Sequence, residues 1–99
     1  MTTTQLQVLR GRRLRYAAAV LLHEARQTVS LDELAVRLAD GGYGTVGDSR
    51  KAISDALRWE LRRGRAIRVR RGHYRSRGLA RSTLSWMRAQ VAGELADIR

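Results

Sequence analysis

Residues 48–77 read DSRKAISDALRWELRRGRAIRVRRGHYRSR, and two periods meet inside them. From Asp48 to Gly64, Ile53, Ala56, Leu57 and Leu61 recur at helical spacing. Asp48 is placed to cap this helix, and Gly64 to end it. Lys51, Ser54, Asp55, Arg58 and Arg62 fall on the opposite arc, which is polar and mostly cationic. After Gly64 the period drops to two, with Ile67 and Val69 alternating with Arg68 and Arg70. Arg71-Gly72 is then the two-residue centre of a hairpin that returns through His73, Tyr74, Arg75, Ser76 and Arg77. The expectation is a basic helix followed by a ribbon with one apolar face and one face lined by Arg.

The charge follows the same boundary. The chain has 99 residues, 20 Lys+Arg against 9 Asp+Glu, and a formal net charge of +11. Residues 1–49 contribute six Arg against five acids, and residues 83–99 balance. Residues 50–82 hold twelve cations against Asp55 and Glu60, a net of +10. Like charge at that density opposes compaction, and a polyanionic partner is its usual reason. Nearly all the cations are Arg, whose planar fork suits phosphate and guanine. A GC-rich genome favours Arg over Lys as well, so the clustering carries more of the argument than the residue type. Hydrophobic residues make up 43 %, enough for a single small core.

Upstream, Thr4 and Gln7 have the spacing of a capping box, and a helix runs to about Arg26. Leu14, Ala17, Ala18, Leu21, Leu22 and Ala25 form its apolar face, while Gly11 interrupts the pattern. Residues 1–12 are therefore read as a basic arm or helix extension. Arg10, Arg12, Arg13 and Arg15 fit either a clamp on a nucleic-acid backbone or the solvated side of the helix. Thr28-Val29-Ser30 reads as a short strand. Ser30 with Glu33 is a capping box, and Val29 with Leu34 a hydrophobic staple, for a second helix over Leu31, Leu34, Ala35 and Leu38. Gly41 is placed to close that helix, and residues 41–47 form a turn in which Tyr43 packs inward. Downstream, Ser82 is read as the cap of a last helix over 82–99. Leu84, Met87, Val91, Leu95 and Ile98 make a narrow stripe, with Trp86 facing away from it. That stripe with Trp86 is read as a dimerisation element.

The resulting order is helix, short strand, helix, turn, basic helix, basic hairpin, helix. It is the layout of a winged helix-turn-helix domain over 13–78, mainly α with a small β-hairpin, plus a C-terminal helix. Residues 16–76 resemble winged-helix domains of the linker-histone and HARE type. The likeness rests on Ser30-Leu31-Asp32-Glu33-Leu34-Ala35, on Gly42-Tyr43, on the Ile53, Ala56-Leu57, Leu61 spacing, and on Arg71-Gly72-His73-Tyr74. It implies a DNA-binding fold more than a particular task, since some winged helices bind RNA or protein.

The expected function is binding of double-stranded DNA by a homodimer, as a nucleoid-associated protein or transcriptional regulator in the cytoplasm. The expected contacts are Lys51, Ser54, Arg58 and Arg62 on the third helix, entering the major groove, with Arg50 beside the helix start on phosphate. Arg68, Arg70, Arg71, Arg75 and Arg77 would hold phosphates or the minor groove. Asp55 either accepts from a cytosine amine or pairs with Lys51 or Arg58. Trp59 is read as core, and Tyr74 as packed beneath the hairpin. The alternatives are an RNA- or ribosome-binding module, or a module for an acidic protein partner.

Other classes find no support in the residues. The chain has no Cys, hence no disulfide frame, thiol chemistry or Cys-based zinc site. His23 and His73 stand alone, so no metal is assigned. There is no Walker loop, nucleophile elbow or carboxylate pair, so no catalytic residue, cofactor or small-molecule substrate is expected. No apolar run approaches a membrane span, and none is expected to act as a signal peptide.

Overall fold

The computed structural model describes residues 6–93. Their order is β1 (Gln7–Leu9), α1 (Gly11–Ala25), β2 (Val29–Ser30), α2 (Leu31–Asp40), β3 (Tyr43–Thr45), α3 (Ser49–Arg62), β4 (Ala66–Arg70), β5 (His73–Ser76) and α4 (Arg81–Ala92). The chain is mainly helical, with a small antiparallel sheet ordered β2-β5-β4 and a parallel pair β1-β3.

Helix α1 is the hub, packing against α2, α3 and α4. Leu14, Ala17, Ala18 and Leu22 enter the main core with Leu34, Ile53, Leu57, Val29 and Tyr74. The expected face of α1 is thus largely observed, with Leu21 and Ala25 at its margin. Ala19 and Val20, outside that face, are buried too, because α4 covers a second side of the helix with Met87. α1 ends where expected, at Arg26, whose backbone turns left-handed at φ +55°.

The α2 capping signal is realised at its first half. The Ser30 side chain accepts from the Glu33 backbone N–H at 3.1 Å. The Glu33 carboxylate turns instead to Arg37, at 3.4 Å and one turn on. Val29 and Leu34 both lie in the core, as a staple requires. Gly41 closes α2 but keeps a right-handed backbone. The left-handed turn comes one residue later, at Gly42 with φ +90°, where a side chain would be strained.

Three expectations change here. The basic arm contains a strand: β1 pairs in parallel with β3, Gln7 opposite Tyr43 and Leu9 opposite Thr45, so the 41–47 turn is part strand. Leu9, 1 % exposed, anchors this ribbon in the core, and Gly44 leaves room for Leu6, 3.3 Å from where a Cβ would sit. The last helix starts from Ala80 rather than Ser82 and ends at Ala92, with Gly93 as its cap. Its stripe is used within the chain: Met87 (1 % exposed) and Val91 (9 %) pack on α1, and Leu84 packs beside Met87. Met87 and Val91 are thus already covered by α1, and no second subunit is needed to bury them. Trp86 does lie half-exposed, its ring edge-on to Tyr16 at 5.0 Å. Thr4, Leu95 and Ile98, named above, lie outside the described residues.

Candidate nucleic-acid interface

α3 is fixed at its start and along one side. The Asp48 side chain accepts from the Arg50 N–H at 3.0 Å, and Thr45 and Ser49 join their hydroxyls at 2.9 Å. Ile53, Ala56 and Leu57 are buried, and Leu61 packs at the core edge. This burial leaves Lys51, Asp55, Arg58 and Arg62 exposed and Ser54 half-buried, the arc expected from the sequence.

The exposed arc is only lightly tied. Arg58 reaches Asp55 at 3.8 Å, which gives Asp55 its pairing role. Arg50 approaches Asp32 of α2 at 3.1 Å, with both side chains more than half exposed. Exposed pairs of this kind contribute at most about 1 kcal/mol. A phosphate can displace them, so neither arginine is locked away from a polyanion.

β4 and β5 form the expected hairpin around Arg71-Gly72, and Arg68, Arg70, Arg71, Arg75 and Arg77 are all exposed. The faces differ from the alternation read above. Ala66 pairs with Ser76, Ile67 with Arg75 and Arg68 with Tyr74, so Ala66 and Tyr74 share one face and are the residues of the hairpin that reach the core. Ile67 shares a face with Arg75. A bulge between Arg68 and Arg70 adds Val69 to one strand, and Val69 stays 45 % exposed. Bulges raise local twist. Exposed arginines therefore occur on both faces of the hairpin, Arg68 on that of Tyr74 and Arg75 on that of Ile67, rather than lining one face.

The joint between α3 and the hairpin contains an element the sequence reading missed. Glu60 is the only buried charged side chain among the described residues, 2 % exposed. Arg65 grips it with two bonds, Nε to Oε1 at 2.8 Å and Nη2 to Oε2 at 2.9 Å. Such a fork satisfies both carboxylate oxygens. The hydrogen bond that Arg65 donates to Glu60 comes first in holding the Arg65 guanidinium above its ordinary pKa, against the opposing effect of burial. Arg65 N–H also donates to Glu60 O at 2.9 Å, and Arg77 N–H to Arg65 O at 2.8 Å. Helix end, first strand and returning strand are thereby tied at one point. The signal was available: Glu60 sits at the i+7 position of the apolar stripe begun by Ile53.

Trp59 is a correction. It is 42 % exposed, not core. The Arg15 guanidinium lies over its ring at 4.3 Å, and that of Arg62 stands at 5.6 Å. Arg13 is also spoken for: it donates to the carbonyls of Gln90 and Val91 at the end of α4. Of the early basic block, Arg10 and Arg12 remain exposed. Tyr74 is buried beneath the hairpin as expected, and Tyr43 packs on the core. His73 Nδ1 lies 3.0 Å from the Arg71 carbonyl in the turn. Among the described residues no group of His, Asp or Glu is arranged to hold a metal, and no helix is long and apolar enough to cross a membrane.

The arrangement presents a cationic helix face and a cationic hairpin, joined by a buried ion pair and backed by a nearly neutral scaffold. Comparison with protein families, with curated proteins and with solved structures gives no match to this chain.

Proposed function

We propose that this chain is a winged helix-turn-helix domain that binds double-stranded DNA. α3 would lie in the major groove, with Lys51, Ser54, Arg58 and Arg62 toward the base edges. The β4–β5 hairpin would be the wing, its Arg68, Arg70, Arg71, Arg75 and Arg77 on phosphates or in the minor groove. Arg50, at the start of α3, suits a phosphate.

One observation carries the reading. All but Arg81 of the cations in the segment that holds nearly all the excess charge lie on α3, on the hairpin or on the residues that flank them, and those other than Arg65 are exposed. A solvated helix face needs no such continuation onto the next element. An edge hairpin uses a charge or two against aggregation, and five arginines exceed that need. The breadth of the charge favours a protein that coats DNA over one that reads a short operator, and a regulator of transcription is the narrower form of the same reading.

Binding to a short DNA duplex and to a structured RNA at matched salt tests it. The duplex should bind more tightly, and alanine at Lys51, Arg58 and Arg71 together should abolish most of that affinity. Tighter binding to RNA, or a triple variant that binds DNA as the parent does, would refute it. Equal affinity for operator-like and random duplexes would select the coating role.

A further inference from the structure

Both tryptophans of the chain open onto one cleft between α1, the end of α3 and the start of α4. Trp59 is 42 % exposed and Trp86 44 %, and Tyr16 stands edge-on to Trp86. Arg15 and Arg63 are among the residues of its walls. Large aromatics left half in water, at two places that converge, need an occupant more than two scattered ones would.

The electrostatics of the cleft favour an anion. Glu60 borders it, but its carboxylate is consumed by the two bonds from Arg65. Arg15 and Arg63 have no such partner among the described ion pairs. Arg15 lies over Trp59, its guanidinium carbon 4.3 Å from the ring centroid, which offers a cation backed by an indole. Bases stack on indole rings and on guanidinium planes alike. The volume, about 240 Å³, is below the roughly 300 Å³ at which drug-sized pockets begin, so one planar ring system is the fitting guest.

We propose that this cleft holds an unpaired nucleobase of a single-stranded nucleic acid, stacked between Trp86 and the Arg15–Trp59 pair, with the adjoining phosphates on Arg15 and Arg63. The proposal goes beyond the duplex reading and shares with it only the α3 surface: Trp59 lies between Arg58 and Arg62 in sequence. A strand running off that cationic face would deliver its first unpaired base to the cleft.

The test compares three probes at low salt: a short oligothymidine, an abasic oligomer with the same number of phosphates, and a blunt duplex. The unaltered chain should bind oligothymidine about tenfold or more tightly than the abasic oligomer, as stacking of one base implies. In Trp59→Phe, where Trp86 is the sole indole, oligothymidine should quench the emission and the abasic oligomer should not. Trp86→Ala should lose about tenfold affinity for oligothymidine and keep its affinity for the duplex. Equal affinity for the oligothymidine and abasic probes would overturn the proposal. So would unchanged Trp86 emission in the bound state, or no binding of oligothymidine at all. Failure on the duplex with success on oligothymidine would instead overturn the reading of α3 and the hairpin, and leave the cleft standing.

Discussion

Arg65→Ala removes one side of the joint between α3 and the hairpin and leaves the other side buried. Glu60 is 2 % exposed, and both its oxygens bond to Arg65. Breaking a buried pair from one side costs about 3–5 kcal/mol, because the remaining charge has lost its partner and is kept from water. The Arg65 side chain is 28 % exposed, so water reaches part of the site and the lower end, about 3 kcal/mol, is the expected loss. In a domain of this size each kcal/mol moves the melting temperature by about 4–8 °C, so a fall of roughly 12–24 °C should follow. Replacing both partners, as Glu60→Leu with Arg65→Met, removes the buried charge along with its partner and should recover most of that loss. Thermal melts of the parent, the single and the double variant measure it. A single variant within about 3 °C of the parent would refute the reasoning, as would a double variant no more stable than the single. Because Glu60 raises the Arg65 pKa above its ordinary value, the pair's contribution is complete at lower pH. It is lost as pH climbs through that raised value, so the guanidinium's contribution in the parent should be fully present at both pH 6 and pH 9.

Three further outcomes are expected. Ser30→Ala removes the acceptor for the Glu33 N–H and should cost about 1 kcal/mol in a denaturant melt, whereas Ser30→Asp should be nearly neutral; equal losses would deny the cap. Gly72 holds φ +74° in the hairpin turn, so Gly72→Ala should cost about 1–2 kcal/mol, with amide exchange quickening first in β4 and β5. Alanine at both Arg68 and Arg70 should flatten the salt dependence of duplex binding by up to about two units of slope, while thermal stability stays near that of the parent because both side chains are exposed.

Much of this was legible locally. The α2 start is written in Ser30 and Glu33, three residues apart. The α3 arc is written in Ile53, Ala56, Leu57 and Leu61, and the hairpin in Arg71-Gly72. Each of these signals involves neighbours in sequence. The misses involve distant partners or a break in period. β1 is three residues long, and its partner β3 lies 36 positions on, counting from Gln7 to Tyr43; nothing within Gln7–Leu9 announces it. Trp59 had the position of a core residue, but Arg15, far away in the chain, covers its ring where it meets solvent. Val69 kept the alternation in sequence, and one bulge displaced it from the expected face. The α4 stripe was real as a buried face, yet periodicity cannot tell whether α1 or a second chain supplies the cover. Met87 and Val91 meet α1. The excess charge was located correctly, but its pairing was not: Arg65 belongs to Glu60 and is subtracted from the surface together with it.

The most direct test of the account is the affinity for a random DNA duplex as salt is raised from roughly 50 to 200 mM. If α3 and the hairpin together neutralise about six phosphates, log affinity should fall against log salt with a slope near −5, a loss of about a thousandfold over that range. A slope near zero, or no binding at the lowest salt, would contradict it.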